Sequence, residues 1–249
     1  MRHVALLTDF GMRDPYVAAM KGVIASRCDA FIDDLSHDIA PFDIFEAAWF
    51  LRGCAAWWPE GTIFVVVIDP GVGTKRRMLA VDDGARIFVA PDNGVLHFIS
   101  GTARSIENTS LFLPDGSTTF HGRDRFAPVA AAIASGLPLD ELGPVIEDRI
   151  RLDYTPPKYG SDCATGCIID VDRFGNCITD IEHARLGFEP HALRACGATI
   201  TRSSKTYADA GRGAFMIVGS SGCYEISIAG ESAAELLQLG RFDVVTIQP

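Results

Sequence analysis

The stretch FVVVIDPGVGT, residues 64–74, joins an uninterrupted apolar run to a glycine-containing turn. The five residues before Asp69 have the length and β-branched composition of a fully buried strand, which is typical of parallel sheets covered on both faces. Gly71 and Gly73 would let the backbone that follows the strand approach a ligand closely. A tight turn that binds nothing is an equally good interpretation of this loop from its residues alone.

The same arrangement, an apolar run closed by an acidic residue, occurs three more times in the first 92 residues: VALLTD (4–9), AFIDD (30–34) and IFVAPD (87–92). Ligands of open parallel sheets bind outside the carboxyl ends of the strands, so these acidic side chains are expected to converge on one crevice. Segments with helical spacing of apolar residues, 16–27 and 44–58, lie between the runs. The alternation predicts an α/β fold with a mainly parallel sheet.

The sequence changes character near residue 157. The segment YTPPKYGSDCATG, residues 154–166, is rich in proline, glycine and polar residues, which is typical of a linker. Beyond it, short apolar runs such as CIIDVD and CYEISIA are separated by turn residues, with little helical pattern before residues 232–239. We therefore expect an N-terminal α/β domain over residues 1–157 and a smaller C-terminal β-rich domain over residues 158–249.

Composition favours a small ligand over a macromolecular one. The net charge is −10 and no segment is rich in Lys or Arg, which argues against nucleic acid or an anionic membrane as a partner. No apolar run approaches transmembrane length, and the apolar stretch at the N-terminus is too short for a signal peptide. The seven cysteines are odd in number and form no CxxC pair, which suits reduced thiols in a cytoplasmic protein. No histidine spacing predicts a metal site.

Several polar residues stand out as candidate ligands of a small molecule, each with an ordinary structural alternative. Asp9 and Asp14 flank a glycine turn after the first strand, where carboxylates suit a ribose diol or an ammonium group, but also a helix cap. His121, in TFHGRD, is a candidate acid, base or water-orienting group, although a single histidine is more often structural. The dinucleotide and nucleoside triphosphate fingerprints GxGxxG and GxxxxGK[ST] are absent.

Two further segments lie in the second half of the chain. In DVDRFGN, residues 170–176, Asn176 suits pairing with an adenine edge, and an Asx turn explains it equally well. The segment GSSG, residues 219–222, is not a GxSxG nucleophile elbow. Its hydroxyls and amides, including those of Ser221, would suit a carboxylate or no ligand at all.

Six segments taken in order resemble one family, the S-adenosyl-L-methionine (SAM) hydroxide adenosyltransferases or SAM hydrolases, which are related to the fluorinase and the chlorinase. They are TDFGMRDPYVAAMKGVI, IDPGVGTKRR, APDNGVL, TFHGRDRFAPVAA, DVDRFGNCITDI and SSGCYEISIAGESAAELL. The resemblance covers residues 4–245, and six separated motifs in order are far more specific than any one of them.

The resemblance implies hydrolysis of SAM to adenosine and methionine, without a metal or bound cofactor, by a homotrimer. Its active sites would lie between the N-terminal domain of one subunit and the C-terminal domain of the next. The resemblance assigns Asp69, Arg76 and His121 to holding or activating the attacking water. It assigns the following substrate contacts: Asp9 to the ribose hydroxyls, Phe42 to the neighbourhood of the sugar, Asp14 and Asp172 to the methionine ammonium, Asn176 to adenine and Ser221 to the methionine carboxylate.

Other functions remain open at this stage. The halogenating relatives have Tyr where this chain has Asp69, and the fluorinase has Thr where it has Val72 and a Ser-Arg pair where it has SSG. An anionic Asp69 is expected to repel halide, which favours water over a SAM-dependent halogenase. A non-catalytic SAM- or adenosine-binding protein is a second alternative, and a carboxylate-rich metal hydrolase is a third.

Overall fold

A computed structural model describes residues 1–249, which divide into two compact units, Met1–Asp153 and Tyr154–Pro249. The strands of the first unit are β1 Arg2–Thr8, β2 Ala30–Ser36, β3 Ile63–Val67, β4 Met78–Asp82, β5 Ile87–Pro91, β6 Thr102–Ser105 and β7 Val145–Ile146. Its α-helices are α1 Tyr16–Ala25, α2 Ile44–Cys54 and α3 Ala127–Ala134.

The strands of the second unit are β8 Lys158–Tyr159, β9 Ala164–Val171, β10 Cys177–Glu182, β11 Ala192–Ala195, β12 Ala198–Ile200, β13 Ala214–Val218, β14 Cys223–Ile228 and β15 Val244–Gln248. Its one α-helix is α4, Ala233–Leu237, at whose N-terminus the Ser232 side chain accepts a hydrogen bond from the backbone N–H of Glu235. None of the helices in the two units combines the length and apolar character needed to span a bilayer.

The first unit is a seven-stranded sheet in the order β2-β1-β3-β5-β4-β6-β7, with helices on both faces. Strands β2, β1, β3 and β5 are parallel, whereas β4, β6 and β7 each pair antiparallel with their neighbours in the sheet. Val65 and Val67 of β3 pack with α1 and α3, whereas Phe64 and Val66 pack with α2. Because β3 is covered on both faces, its run of apolar residues is continuous rather than alternating. The predicted α/β class with a mainly parallel sheet is confirmed.

The expected convergence of all the strand-end acids is wrong in part. Strand β2 continues to Ser36, so Asp33 and Asp34 lie within an edge strand and not at its end. Each has a local partner: Asp33 pairs with His3 at 2.8 Å, and Asp34 accepts hydrogen bonds from His37 and Lys21. An edge strand has a solvated side that tolerates such charges.

The second unit is an antiparallel sheet in the order β12-β11-β15-β9-β10-β14-β13, with β8 paired to β9. Its core comes mainly from β9, β10, β14 and β15, and α4 packs against it. The prediction of a smaller β-rich C-terminal domain is therefore confirmed in its fold class. The division after Asp153 lies just before the proline-rich segment from which the sequence boundary was inferred.

Candidate active site

A cavity of about 270 Å³ lies in the first unit at the carboxyl ends of β1 and β3. Asp9 directly follows β1, Asp69 follows β3 by two residues, and His121 comes from the segment before α3. The cavity is lined by these three residues and by Phe10, Tyr16, Pro41, Phe42, Val67, Val72, Thr119, Phe120 and Gly122. The cavity thus lies at the carboxyl ends of the strands, where a ligand site is expected in a parallel sheet.

Arg76 joins Asp69 and His121 into one cluster. Its Nε donates to Oδ1 of Asp69 at 2.6 Å, and its Nη2 donates both to Oδ2 of Asp69 and, at 2.9 Å, to Nδ1 of His121. The side chains of Arg76 and Asp69 are only 8% and 5% exposed. A bidentate pair of this kind fixes the carboxylate in orientation as well as in position.

The glycine loop after β3 brings these residues together. Gly73 has φ +80°, and a Cβ at this position would lie 2.6 Å from the carbonyl oxygen of Thr118. The loop therefore packs directly on the segment that leads to His121. Within the loop, the Thr74 hydroxyl donates to the carbonyl of Gly71 at 2.7 Å. Gly73 thus allows two protein segments to approach each other closely beside the cavity, so the loop is more than a simple turn.

His121 is buried and neutral. It immediately precedes a π-helical turn, Gly122–Phe126, that leads into α3. Burial, and beyond it the nearby guanidinium groups of Arg125 and Arg76, lowers its pKa to about 4. Because Arg76 can only donate, Nδ1 of the neutral ring is the acceptor and its hydrogen is on Nε2. Nε2 is buried and has no hydrogen-bond partner in the protein.

Asp9 is held by a strained turn. Its Oδ2 accepts the backbone N–H of Phe42 at 2.8 Å. Phe42 has φ +68°, which is unfavourable for a residue with a side chain, and the residue is 68% exposed. The strain thus accompanies an aromatic ring that lines the cavity and stays open to solvent. Asp14, in contrast, is exposed and does not line this cavity.

The other strand-end acid does not belong to the cavity. Asp92, which directly follows β5, is buried and accepts hydrogen bonds from Arg77 at 2.8 Å and from the backbone N–H of Ile150 at 2.8 Å. Arg77 also binds the carboxylate of Asp148 at 2.7 Å. Asp92 therefore anchors the segment after β7, and only Asp9 and Asp69 of the strand-end acids line the cavity.

The second unit has its own cavity, of about 530 Å³. It is lined by Asp172, Phe174, Asn176, Tyr207 and residues 228–232. Asp172 accepts the backbone N–H groups of Phe174 and Asn176, both at 2.9 Å, and the side-chain amide of Asn176 at 2.8 Å. The turn and the ligand-site interpretations of this segment are thus compatible, since the turn itself presents both side chains at a cavity.

Sequence reasoning missed Tyr207 and its partner Glu225, and it included Ser221, which lies apart from the cavity of this unit. Ser221 is in the turn between β13 and β14, where its hydroxyl accepts the N–H of Cys223 at 3.3 Å, and it does not line the cavity. Tyr207 does line it and donates to the buried carboxylate of Glu225. The signal for Glu225 in the sequence was an acidic residue inside the otherwise uncharged run CYEISI. No group of three or more His, Cys, Asp or Glu residues is arranged to hold a metal ion.

Comparison with known proteins covers nearly the whole chain. Residues 4–143 match the SAM hydroxide adenosyltransferase N-terminal domain, and residues 166–246 match the C-terminal domain of the same family. The chain is 36% identical to the (R)-S-adenosyl-L-methionine hydrolase of Thermus thermophilus, with 96% of each chain covered. It is 35% identical to the hydrolase of the same name from Salinispora arenicola, with 94% of this chain and 93% of the other covered.

More distant similarity extends to a halogenating enzyme. The chain is 27% identical to the fluorinase of an Actinoplanes species, with 84% of each chain covered. Among solved structures, an uncharacterized conserved protein from Thermotoga maritima superposes with a TM-score of 0.92 at 32% identity, covering 99% of this chain and 100% of the other. The resemblance inferred from the six sequence motifs is confirmed by these matches.

Proposed function

The chain belongs to the SAM hydroxide adenosyltransferase family, and from this premise we propose that it hydrolyses S-adenosyl-L-methionine to adenosine and L-methionine. Water attacks the ribose 5′ carbon in line with the carbon–sulfur bond, and the sulfonium leaves as the neutral thioether of methionine. The observation that carries this proposal is the cluster of Asp69, Arg76 and His121 beside a cavity at the strand ends.

The three residues have different roles in orienting the water. Neutral His121 donates from Nε2–H to the water oxygen, since its Nδ1 is already occupied by Arg76. Asp69 has lone pairs beyond those bound by Arg76 and accepts a hydrogen of the water, so that it is the proton acceptor in our proposal. Arg76 is permanently charged and fixes the positions of Asp69 and His121 relative to each other. Orientation of a reactant can lower a barrier by up to roughly 7–11 kcal/mol.

The ion pair changes the electrostatic argument about halide. Asp69 considered alone would repel chloride or fluoride, but its formal charge is balanced by Arg76, which binds both carboxylate oxygens. Preference for water therefore depends on a hydrogen-bond donor and an acceptor that match water, rather than on net negative charge. A halide ion accepts hydrogen bonds and cannot satisfy the Asp69 acceptor.

Asp9 is the proposed acceptor for the two ribose hydroxyls, because it lines the same cavity as Asp69 and retains lone pairs beyond the one used by Phe42. The Phe42 ring is proposed to cover the sugar. In the second unit, Asp172 is proposed to bind the methionine ammonium and Asn176 the adenine, since both line a cavity. The roles of Asp14 and Ser221 in binding the ammonium and the carboxylate rest on family resemblance alone.

We also propose a cytoplasmic homotrimer whose active sites combine the cavity of one subunit's N-terminal unit with that of the next subunit's C-terminal unit. The presence of a separate cavity in each unit supports this arrangement. No metal and no bound cofactor enter the proposed reaction, because the sulfonium is itself an activated leaving group. Neither nucleic acid nor membrane is a proposed partner, in keeping with the net charge of −10. Light scattering coupled to size exclusion measures the oligomeric state.

The reaction is tested by incubating the purified protein with SAM in halide-free buffer made with ¹⁸O-labelled water and analysing the products by mass spectrometry. We expect adenosine carrying one ¹⁸O together with methionine. A 5′-halo-adenosine formed only when chloride or fluoride is added would establish the halogenase instead. SAM that binds but stays intact would overturn hydrolysis and favour a non-catalytic binding protein.

A further inference from the structure

Glu225 is a buried carboxylate to which the proposed reaction gives no role. It lies in β14 between strands β10 and β13 and is 5% exposed. Its pKa lies above the ordinary value, because burial and the nearby charge of Asp172 outweigh the lowering effect of its hydrogen-bond donor. A buried acid is costly unless it is hydrogen-bonded, so the partner of Glu225 indicates what it does.

That partner is Tyr207, which lines the cavity of the second unit. The Tyr207 hydroxyl donates to Oε2 of Glu225 at 2.8 Å, while its side chain remains open to the cavity. Burial, and beyond it the hydrogen bond to Glu225, raises the pKa of Tyr207 to about 12, so the phenol keeps its proton. The one hydrogen of the hydroxyl is therefore committed to Glu225, and its oxygen can offer only lone pairs to a ligand.

The fold makes room for this carboxylate. A Cβ at Gly219 would overlap Oε1 of Glu225, so the backbone at the end of β13 lies directly against the acid. The other carboxylate oxygen, Oε2, accepts the 2.8 Å hydrogen bond that ties β14 to Tyr207 in the segment between β12 and β13. Glu225 thus fixes both where the tyrosine oxygen lies and which way its hydrogen points.

We propose that Glu225 is a positioning residue which, through Tyr207, makes the cavity of the second unit select a ligand that presents an N–H donor to the tyrosine oxygen. The inference rests on the proposed function, because SAM has two such donors: the exocyclic amine of adenine and the ammonium of methionine. The carboxylate of Asp172 in the same cavity adds negative charge that favours either donor.

The test compares three ligands: SAM, adenosine, and purine riboside, which lacks the exocyclic amine. Affinities are measured by calorimetry, with SAM titrated in an Asp69→Asn background so that it is not consumed. We expect Tyr207→Phe to weaken binding of SAM about three- to tenfold, the loss typical of one hydrogen bond. If the donor is the adenine amine, binding of adenosine weakens by the same factor, and the protein no longer prefers adenosine to purine riboside. If the donor is the ammonium, only SAM weakens.

A double-mutant cycle distinguishes positioning from a general effect on the fold. Glu225→Leu should weaken the same ligand in the parent protein and have no further effect in the Tyr207→Phe background, because it acts through Tyr207. Tyr224→Phe is the matched control: its hydroxyl is hydrogen-bonded to His183 at 2.7 Å in the same unit but does not line the cavity. It should leave all three affinities unchanged.

Ligand affinities within twofold of the parent in both Tyr207→Phe and Glu225→Leu would overturn the inference while leaving SAM hydrolysis intact. Equal losses for all three ligands in Tyr224→Phe would also overturn it, since the effect would then belong to the fold of the unit. If the parent protein bound neither SAM nor adenosine, the proposed function and this inference would fall together.

Discussion

The guanidinium of Arg76 donates to Nδ1 of His121 at 2.9 Å through the same nitrogen that binds Asp69. This contact determines the tautomer of the histidine, because a guanidinium has no lone pair to offer. His121 therefore presents a hydrogen at Nε2 and cannot take a proton at Nδ1 without losing Arg76. In the proposed mechanism, Asp69 is therefore the residue of the three that accepts a proton of the attacking water.

Asp69→Asn should lower kcat at least 100-fold, which is the scale expected for loss of a positioned general base. An asparagine keeps the size of the side chain but loses the charge that binds Arg76. KM for SAM should change less than threefold, because Asp69 is proposed to contact the water and not the substrate. Steady-state kinetics of adenosine formation measure both constants, and a kcat within a factor of three of the parent value would contradict the assigned role.

The activity should depend on pH through His121. Its pKa is about 4, so the ring is neutral at pH 7 and becomes protonated only in acid. Protonation would place a hydrogen on Nδ1, opposite the Nη2 donor of Arg76, and break the cluster. We expect kcat to be flat from about pH 8 down to pH 5 and to fall through about pH 4. A fall centred near pH 6.5, the ordinary value for histidine, would show that the ring is not held in its neutral form.

The same lowered pKa should make stability depend on pH. Between about pH 4 and 6.5 the unfolded chain binds a proton at His121 and the folded chain does not, so the free energy of unfolding rises with pH across this window. His121→Gln removes this titration and should flatten that part of the profile. Urea unfolding at pH 4.5, 5.5 and 7 measures it. If the free energy of unfolding depended on pH with the same slope in the parent protein and in His121→Gln, His121 would not titrate as proposed.

Sequence reasoning identified the fold class because β3 and its helices have strong local patterns. The apolar run before Asp69 is continuous because α1 and α3 cover one face of β3 and α2 covers the other. The antiparallel strand β4 was not predicted. Its core consists of only four apolar residues, MLAV, which give little periodicity from which to infer a strand or its direction.

The site was predictable only in part, for a different reason. Family motifs supplied Asp69, Arg76 and His121, but the hydrogen bond between Arg76 and His121 joins residues 45 apart in the chain, and no local pattern encodes it. The hydrogen bond from Phe42 to Asp9 likewise depends on a left-handed backbone at a phenylalanine, which sequence propensities argue against. Contacts of this kind follow from tertiary packing, which overrides local preference.

Phe42 provides a test of that strained turn. With φ +68°, Phe42 has steric strain that a glycine at this position would not have. Phe42→Gly should therefore be more stable than Phe42→Ala by about 1 kcal/mol, the reverse of the usual effect of glycine at an ordinary backbone position. Both variants lose the ring, so KM for SAM should rise in both by a similar factor of about three or more. Thermal unfolding and steady-state kinetics measure the two effects, and an alanine variant as stable as the glycine variant would argue against strain.

Gly73 is where the loop after β3 meets the segment before His121, and an added methyl group should separate them. In Gly73→Ala the new Cβ would lie 2.6 Å from the carbonyl oxygen of Thr118, so one of the two segments must move. We expect kcat to fall at least tenfold, because Arg76 and His121 would no longer be aligned. The free energy of unfolding should fall by about 1–3 kcal/mol. The matched control is Gly84→Ala, which has a comparable φ of +92° but no atom within 4 Å of the added Cβ. It should lose stability from backbone strain alone, and therefore less than Gly73→Ala, while keeping kcat within twofold. If the two variants had the same kcat, the approach of the loop to Thr118 would not be what aligns the cluster.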